Sequence, residues 1–187
     1  MNATTTVAKT DENITDQATA KAALNRVRDN LAKATGDATD MMTALRDAIV
    51  KVRPLGVLTV DEMADAIERD RNYVDSVWSA HGETKQGKQT RVAVVEDVDP
   101  EYRDRSFRYL ADAAGNQRGT AGTVNVMRAE RDRVVAMVYA SKILGPSAIA
   151  AEVGIDRNHV LRIARKAKVT PVWRPAGTAR NQHTANA

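Results

Sequence analysis

The stretch "DRNYV" at residues 70–74 returns as "DRNHV" at residues 156–160, a displacement of 86 positions. The flanks extend the match without a gap. "TVDEMADAIERDRNYVDSVWS" over 59–79 lies against "GPSAIAAEVGIDRNHVLRIAR" over 145–165. Met63 falls on Ile149, Ala64 on Ala150, Ile67 on Val153, Val74 on Val160 and Val77 on Ile163. An apolar skeleton kept in register across two windows is the signature of an internal repeat.

Within each window, counted from Val60 or Pro146, apolar residues occupy positions 4, 8, 15 and 18, with Ala at position 5. This pattern resembles the helix-turn-helix superfamily, particularly its regulator, recombinase and sigma-factor versions. Two short helices crossing steeply need a small residue where they touch, and Ala64 and Ala150 supply it. The helix starts agree. Thr59 and Glu62 have the Thr-x-x-Glu spacing of a capping box. Pro146 takes a first helical position, where its missing N–H costs nothing. Asp70 and Asp156 stand where an N-cap would open the second helix of each pair.

The resemblance implies that the first turn of that second helix enters a major groove. Arg157 and Asn158 are then the leading base readers, since Arg suits guanine O6/N7 and Asn suits adenine N6/N7. His159, Arg162 and Arg165 follow on or near the same face, with Lys166 and Lys168 placed for phosphates. In the first copy Arg71, Asn72 and Tyr73 hold the corresponding places, with Lys85 and Lys88 downstream.

The copies differ in their turns and in their charge. The second has Gly154 then Ile155, a small residue and an apolar plug. The first has Glu68 then Arg69, which puts its turn geometry in question. Residues 59–79 carry six acids against two bases, whereas residues 145–168 carry two acids against five bases. Phosphate neutralisation supplies most non-specific affinity for DNA. The C-terminal copy is therefore the expected main reader, and the N-terminal copy a weaker reader or a protein-contact module.

Composition agrees with a polyanion partner at that end. From Arg157 onward there are seven basic residues and no acid, leaving the preceding 156 residues at net −3 within a chain of net +4. In the tail, "WRPAGTAR" offers Arg174 and Arg180 to a minor groove. Cysteine is absent, which excludes disulfides and thiolate metal sites. Aromatic residues make up only 4%, so cores must be built from Ala, Val, Leu, Ile and Met. No apolar run approaches the roughly 20 residues of a membrane span. The polar start "MNATTTVAKTDEN" has no signal-peptide core, so a cytoplasmic protein is expected.

Along the chain, residues 1–13 read as a polar terminus. An amphipathic helix follows over 14–34, broken at Gly36. A second, bearing Met41, Leu45, Ala48, Ile49 and Val52, ends before Pro54. "TRVAVVE" at 90–96 is the one β-like run, a wing or a linker. After Pro100 the pattern predicts a helix stopped at Gly115, a loop over "GNQRGTAG", and a longer helix from Val124. The expected fold is all-α, with two similar helical halves each ending in a helix-turn-helix and one short β-segment between them. The divisions fall at 1–13, 14–81, 82–100, 101–170 and a basic tail at 171–187.

Other chemistries fit poorly. "GETKQGKQ" at 82–89 misses the P-loop pattern at Gln89, where the magnesium-binding Ser or Thr belongs, and its helix–strand order is reversed. His81, His159 and His183 have no ligand spacing, so no metal or cofactor is expected. No nucleophile, base and orienting group converge, and no enzyme is expected. The expectation is a sequence-specific double-stranded DNA-binding protein, a phage- or plasmid-type transcriptional regulator. It would act as a monomer on an asymmetric site or as a homodimer through the N-terminal helices. The competing expectations are a packaging adaptor resembling small terminase subunits and a helical protein-interaction module.

Overall fold

A computed structural model describes residues 14–81 and 94–170. Among them are six α-helices and no strand: α1 (Gln17–Val52), α2 (Val60–Ile67), α3 (Arg71–Ala80), α4 (Pro100–Ser141), α5 (Pro146–Val153) and α6 (Arg157–Lys166). The all-α class holds for the described residues. Of the β-like run, residues 90–93 lie outside them, and residues 94–96 form no strand. Val95 instead donates one backbone hydrogen bond to the Gly56 carbonyl at 3.0 Å. The expectations for 1–13, 82–93 and 171–187 also lie outside the described residues.

Two sequence-based helix boundaries are corrected. Helix α1 runs unbroken through Gly36, and α4 runs unbroken through Gly115, Gly119 and Gly122, where a stop and a loop were expected. Glycine inside a helix costs about 1 kcal/mol relative to Ala, but it neither clashes nor removes a hydrogen bond. A penalty of that size does not end a helix whose flanks are packed. The true ends are chemically marked. Thr19 donates its N–H to Asp16 Oδ1 at 2.8 Å to open α1. Pro100 opens α4, with Glu101 N–H bonded to Asp99 Oδ1 at 3.0 Å. A short 3-10 turn at Arg53–Leu55, closed by left-handed Gly56 at φ 64°, terminates α1.

The chain forms two compact units. One holds the described residues up to Asn30 and from Arg128 onward. Its core sets Ala20, Leu24 and Val27 of α1 and Val134, Val135 and Val138 of α4 against Ile149, Val153, Val160 and Ile163 of the α5/α6 pair. The other unit spans Leu31–Met127. Its core sets Leu45, Ile49 and Val52 of α1 and Leu110 and Ala114 of α4 against Met63, Ile67, Val74 and Val77 of the α2/α3 pair. Aliphatic residues dominate both, as the scarcity of aromatics requires. The first unit is discontinuous in sequence and the second spans the middle of the chain, so neither coincides with the halves at 14–81 and 101–170 read from the repeat.

The α2 entry is a complete capping box. Glu62 N–H donates to Thr59 Oγ1 at 3.2 Å and Thr59 N–H donates to Glu62 Oε2 at 2.8 Å. The Thr59 backbone N–H, and after it Arg103 of α4, hold the Glu62 carboxyl below its usual 4.5. A depressed folded pKa adds stability above the unfolded value and loses it as pH falls through the folded value. Thermal stability should therefore fall below about pH 4.5 in the wild type, and less steeply in Glu62→Gln, which loses the charged interaction at every pH.

An added Cβ at Gly36 or Gly115 meets nothing within 4 Å. Gly36→Ala and Gly115→Ala should each raise unfolding free energy by about 0.5–1 kcal/mol in denaturant titrations. Gly154→Ala, at φ +69° with equally open space, should lower it by about 1 kcal/mol. Destabilisation by Gly36→Ala would contradict a continuous α1.

Candidate nucleic-acid interface

The bounds of α5 and α6 repeat those of α2 and α3 at the same displacement of 86 residues. Each pair is joined by one left-handed residue, Glu68 at φ 54° and Gly154 at φ 69°. Arg69 N–H donates back to the Ala64 carbonyl at 3.0 Å, and Ile155 N–H to the Ala150 carbonyl at 3.1 Å. This closure of a helix C-terminus over a left-handed residue is the Schellman motif. Glu68 therefore does not alter the turn, contrary to the doubt raised by its sequence. A left-handed conformation costs a non-glycine residue about 1–2 kcal/mol. Arg118 of α4 offsets part of it, bonding the Ile67 carbonyl at 3.3 Å and the Glu68 carboxylate at 3.1 Å.

Past the turn, an Asp opens each second helix. Tyr73 N–H donates to Asp70 Oδ1 at 3.0 Å, and His159 N–H to Asp156 Oδ1 at 2.9 Å. With the cap's carboxylate turned to the backbone, the two residues after it are free to face outward. Arg157 and Asn158 are exposed, and His159 is half-buried. Val160, Ile163 and Ala164 face the core. Arg162, Arg165, Lys166 and Lys168 are exposed. Lys168 is itself left-handed at φ 57°, just past the end of α6. Five exposed basic residues thus lie on α6 and its C-terminal turn. No ion pair to an acid is formed by any of these Arg or Lys residues among the described residues.

The matching face of α3 is chemically different. Arg71 and Asn72 are exposed, but Arg71 lies 3.5 Å from Asp61 and 3.8 Å from Asp75. At a surface such pairs are worth about 0–1 kcal/mol, enough to bias the guanidinium but not to lock it. Tyr73 is half-buried, its ring under the Arg69 guanidinium at 5.6 Å and its hydroxyl 3.4 Å from Met42 Sδ. Trp78 is 8% exposed and belongs to the interior. Lys85, Lys88 and Arg174 lie outside the described residues.

One contact escaped the sequence reading. Asp75, counted there among the charged residues of the window, bonds Arg53 Nη2 at 2.7 Å, and that guanidinium lies over Trp78 at 5.5 Å. At the displaced positions stand Tyr139 and Ala164, both buried, and Leu161, packed against the same core. The exchange of Arg53 for Tyr139 and of Trp78 for Ala164 at one displacement was the available signal.

Among the described residues no group of three or more His, Asp or Glu is placed to hold a metal ion. No helix among them is long and apolar enough to cross a membrane. No family model, curated protein or solved structure matches the chain.

Proposed function

We propose that the protein binds double-stranded DNA in a sequence-dependent manner, with α6 as the main reading helix of a helix-turn-helix pair, and acts as a regulator of transcription. The observation that carries this reading is the exposed basic face of α6, beginning at the capped first turn and without an ion pair among the described residues. Arg157 and Asn158 are the base-reading pair. Arg162, Arg165, Lys166 and Lys168 neutralise phosphates.

Comparison of the two copies sharpens the assignment. Asp61, Asp65 and Glu68 of the first copy correspond to Ser147, Ala151 and Gly154 of the second. Ser76, Ser79 and Ala80 correspond to Arg162, Arg165 and Lys166. Acids occupy the first face where the second is neutral, and bases occupy the second where the first is neutral. Only the capping Asp is acidic in both. One backbone arrangement thus supports two surfaces of opposite charge, and only that of α6 suits a polyanion.

Fluorescence anisotropy on duplexes selected from a random pool tests the reading. Arg157→Ala should weaken the selected site by about 1–3 kcal/mol and relax its sequence preference. Arg165→Ala should weaken all duplexes alike and flatten the salt dependence by about one unit of slope. Equal loss on every sequence in both variants would leave only non-specific binding, and no loss in either would remove α6 from the interface.

A converse substitution tests the charge argument. Asp61→Ser, Asp65→Ala and Glu68→Gly together give the first copy the second copy's residues at these exposed positions. This triple variant should bind random duplex about tenfold more tightly at low salt, with a steeper salt dependence. Unchanged affinity would mean that its acidic charge is not what keeps the α2/α3 face from duplex DNA.

A further inference from the structure

The displacement of 86 residues reaches well beyond the two short helix pairs. It carries Leu24 onto Leu110 and Ala20 onto Ser106, and all four are buried. It carries Ile49 onto Val135 and Val52 onto Val138, also buried. It carries left-handed Gly56, at φ 64°, onto left-handed Lys142, at φ 60°. From residue 20 to 78, and again from 106 to 164, the same order recurs: a long helix, a left-handed turn and two short helices.

The packing of these copies is crossed. Ala20 and Leu24, from the first copy, sit in the core around Ile149 and Val160 of the second. Leu110, from the second copy, sits in the core around Met63 and Val74 of the first. Polar contacts cross in the same sense. Arg28 donates to the Glu152 carbonyl near the end of α5 at 3.1 Å, and Lys21 pairs with Glu152 at 3.4 Å. Arg118 donates to the Ile67 carbonyl at the end of α2 at 3.3 Å, and Arg103 pairs with Glu62. In both directions, an arginine from the early part of one copy's long helix caps the other copy's first short helix.

We propose that the chain is a covalently joined pair of copies that exchange the first parts of their long helices, so that each copy is the obligate partner of the other. Neither 17–80 nor 103–166 closes a core with its own residues alone. Exchange of an identical element between protomers is how separate chains build such dimers; here one chain supplies both. The covalent connection through residues 82–93 is dispensable once the cores have formed. This inference rests on the two-copy reading of the fold and is independent of DNA binding.

The full-length protein, cut at a single protease site introduced between residues 84 and 90, tests it. The two pieces should elute together at the mass of the uncut chain and keep its helical signal. Separation into two folded monomers, or loss of helical signal on cutting, would overturn the proposal. Hydrogen exchange on uncut variants supplies a second measurement. Leu24→Ala should speed amide exchange about tenfold in α5 and α6, leaving α2 and α3 near wild type. Leu110→Ala should do the reverse. Loosening of α2 and α3 by Leu24→Ala would show instead that each copy packs on itself.

Discussion

One constraint underlies the rest: two short helices must cross closely enough to share a core while the chain reverses in a few residues. The left-handed residue at 68 or 154 turns the chain, and the following N–H returns to the carbonyl of Ala64 or Ala150. Both Ala residues are buried at the crossing, where a larger side chain would push the helices apart. With the turn and the crossing set, Val74 and Val77, or Val160 and Ile163, have one place to go. Their burial fixes the rotation of the second helix, and that rotation decides which residues meet solvent.

The capping Asp converts this mechanical constraint into a surface. It takes up a free backbone N–H, so the first turn needs no help from the two residues after it. In α6 these are Arg157 and Asn158, followed by bases that form no ion pair among the described residues. In α3 the same two types follow the cap, but Asp61 and Asp75 approach Arg71 and the surrounding face is acidic. The copies thus separate two properties that are usually entangled. Backbone geometry is set by a handful of apolar and capping positions, whereas the electrostatic character of the face is set by exposed positions that tolerate either sign. On the proposed reading, a duplicated scaffold has acquired two surfaces without rebuilding its core.

Much of this was legible in the sequence because it is local. The caps at Thr59, Asp70 and Asp156, the small residue at the crossing and the apolar spacing are all written within windows of about twenty residues. Where the sequence misled, a weak local signal met a stronger distant one. Gly36 and the glycines of α4 each suggested a break, yet their cost is small beside the burial of Val27, Leu45, Leu110 and Val124 on either side. Glu68 looked wrong for its turn because the arginine that supports it, Arg118, is 50 residues away. The division of the cores was hidden for the same reason. Ala20 and Leu24 announce an amphipathic helix, but nothing within that helix states which short pair it will cover. For the candidate site, the order of residues in α6 gave the face. The partners that distinguish Arg71 from Arg157 came only from the folded chain.

The central claim is that the capped opening turn of α6, and not that of α3, is what meets duplex DNA. Backbone amide shifts, followed by NMR as a selected duplex is added to the full-length protein, address it most directly. The account predicts progressive shifts at Asp156–Arg162 and at Arg165 and Lys166, with residues 70–76 nearly unmoved. Shifts centred on residues 70–76, or a spectrum indifferent to DNA, would contradict it.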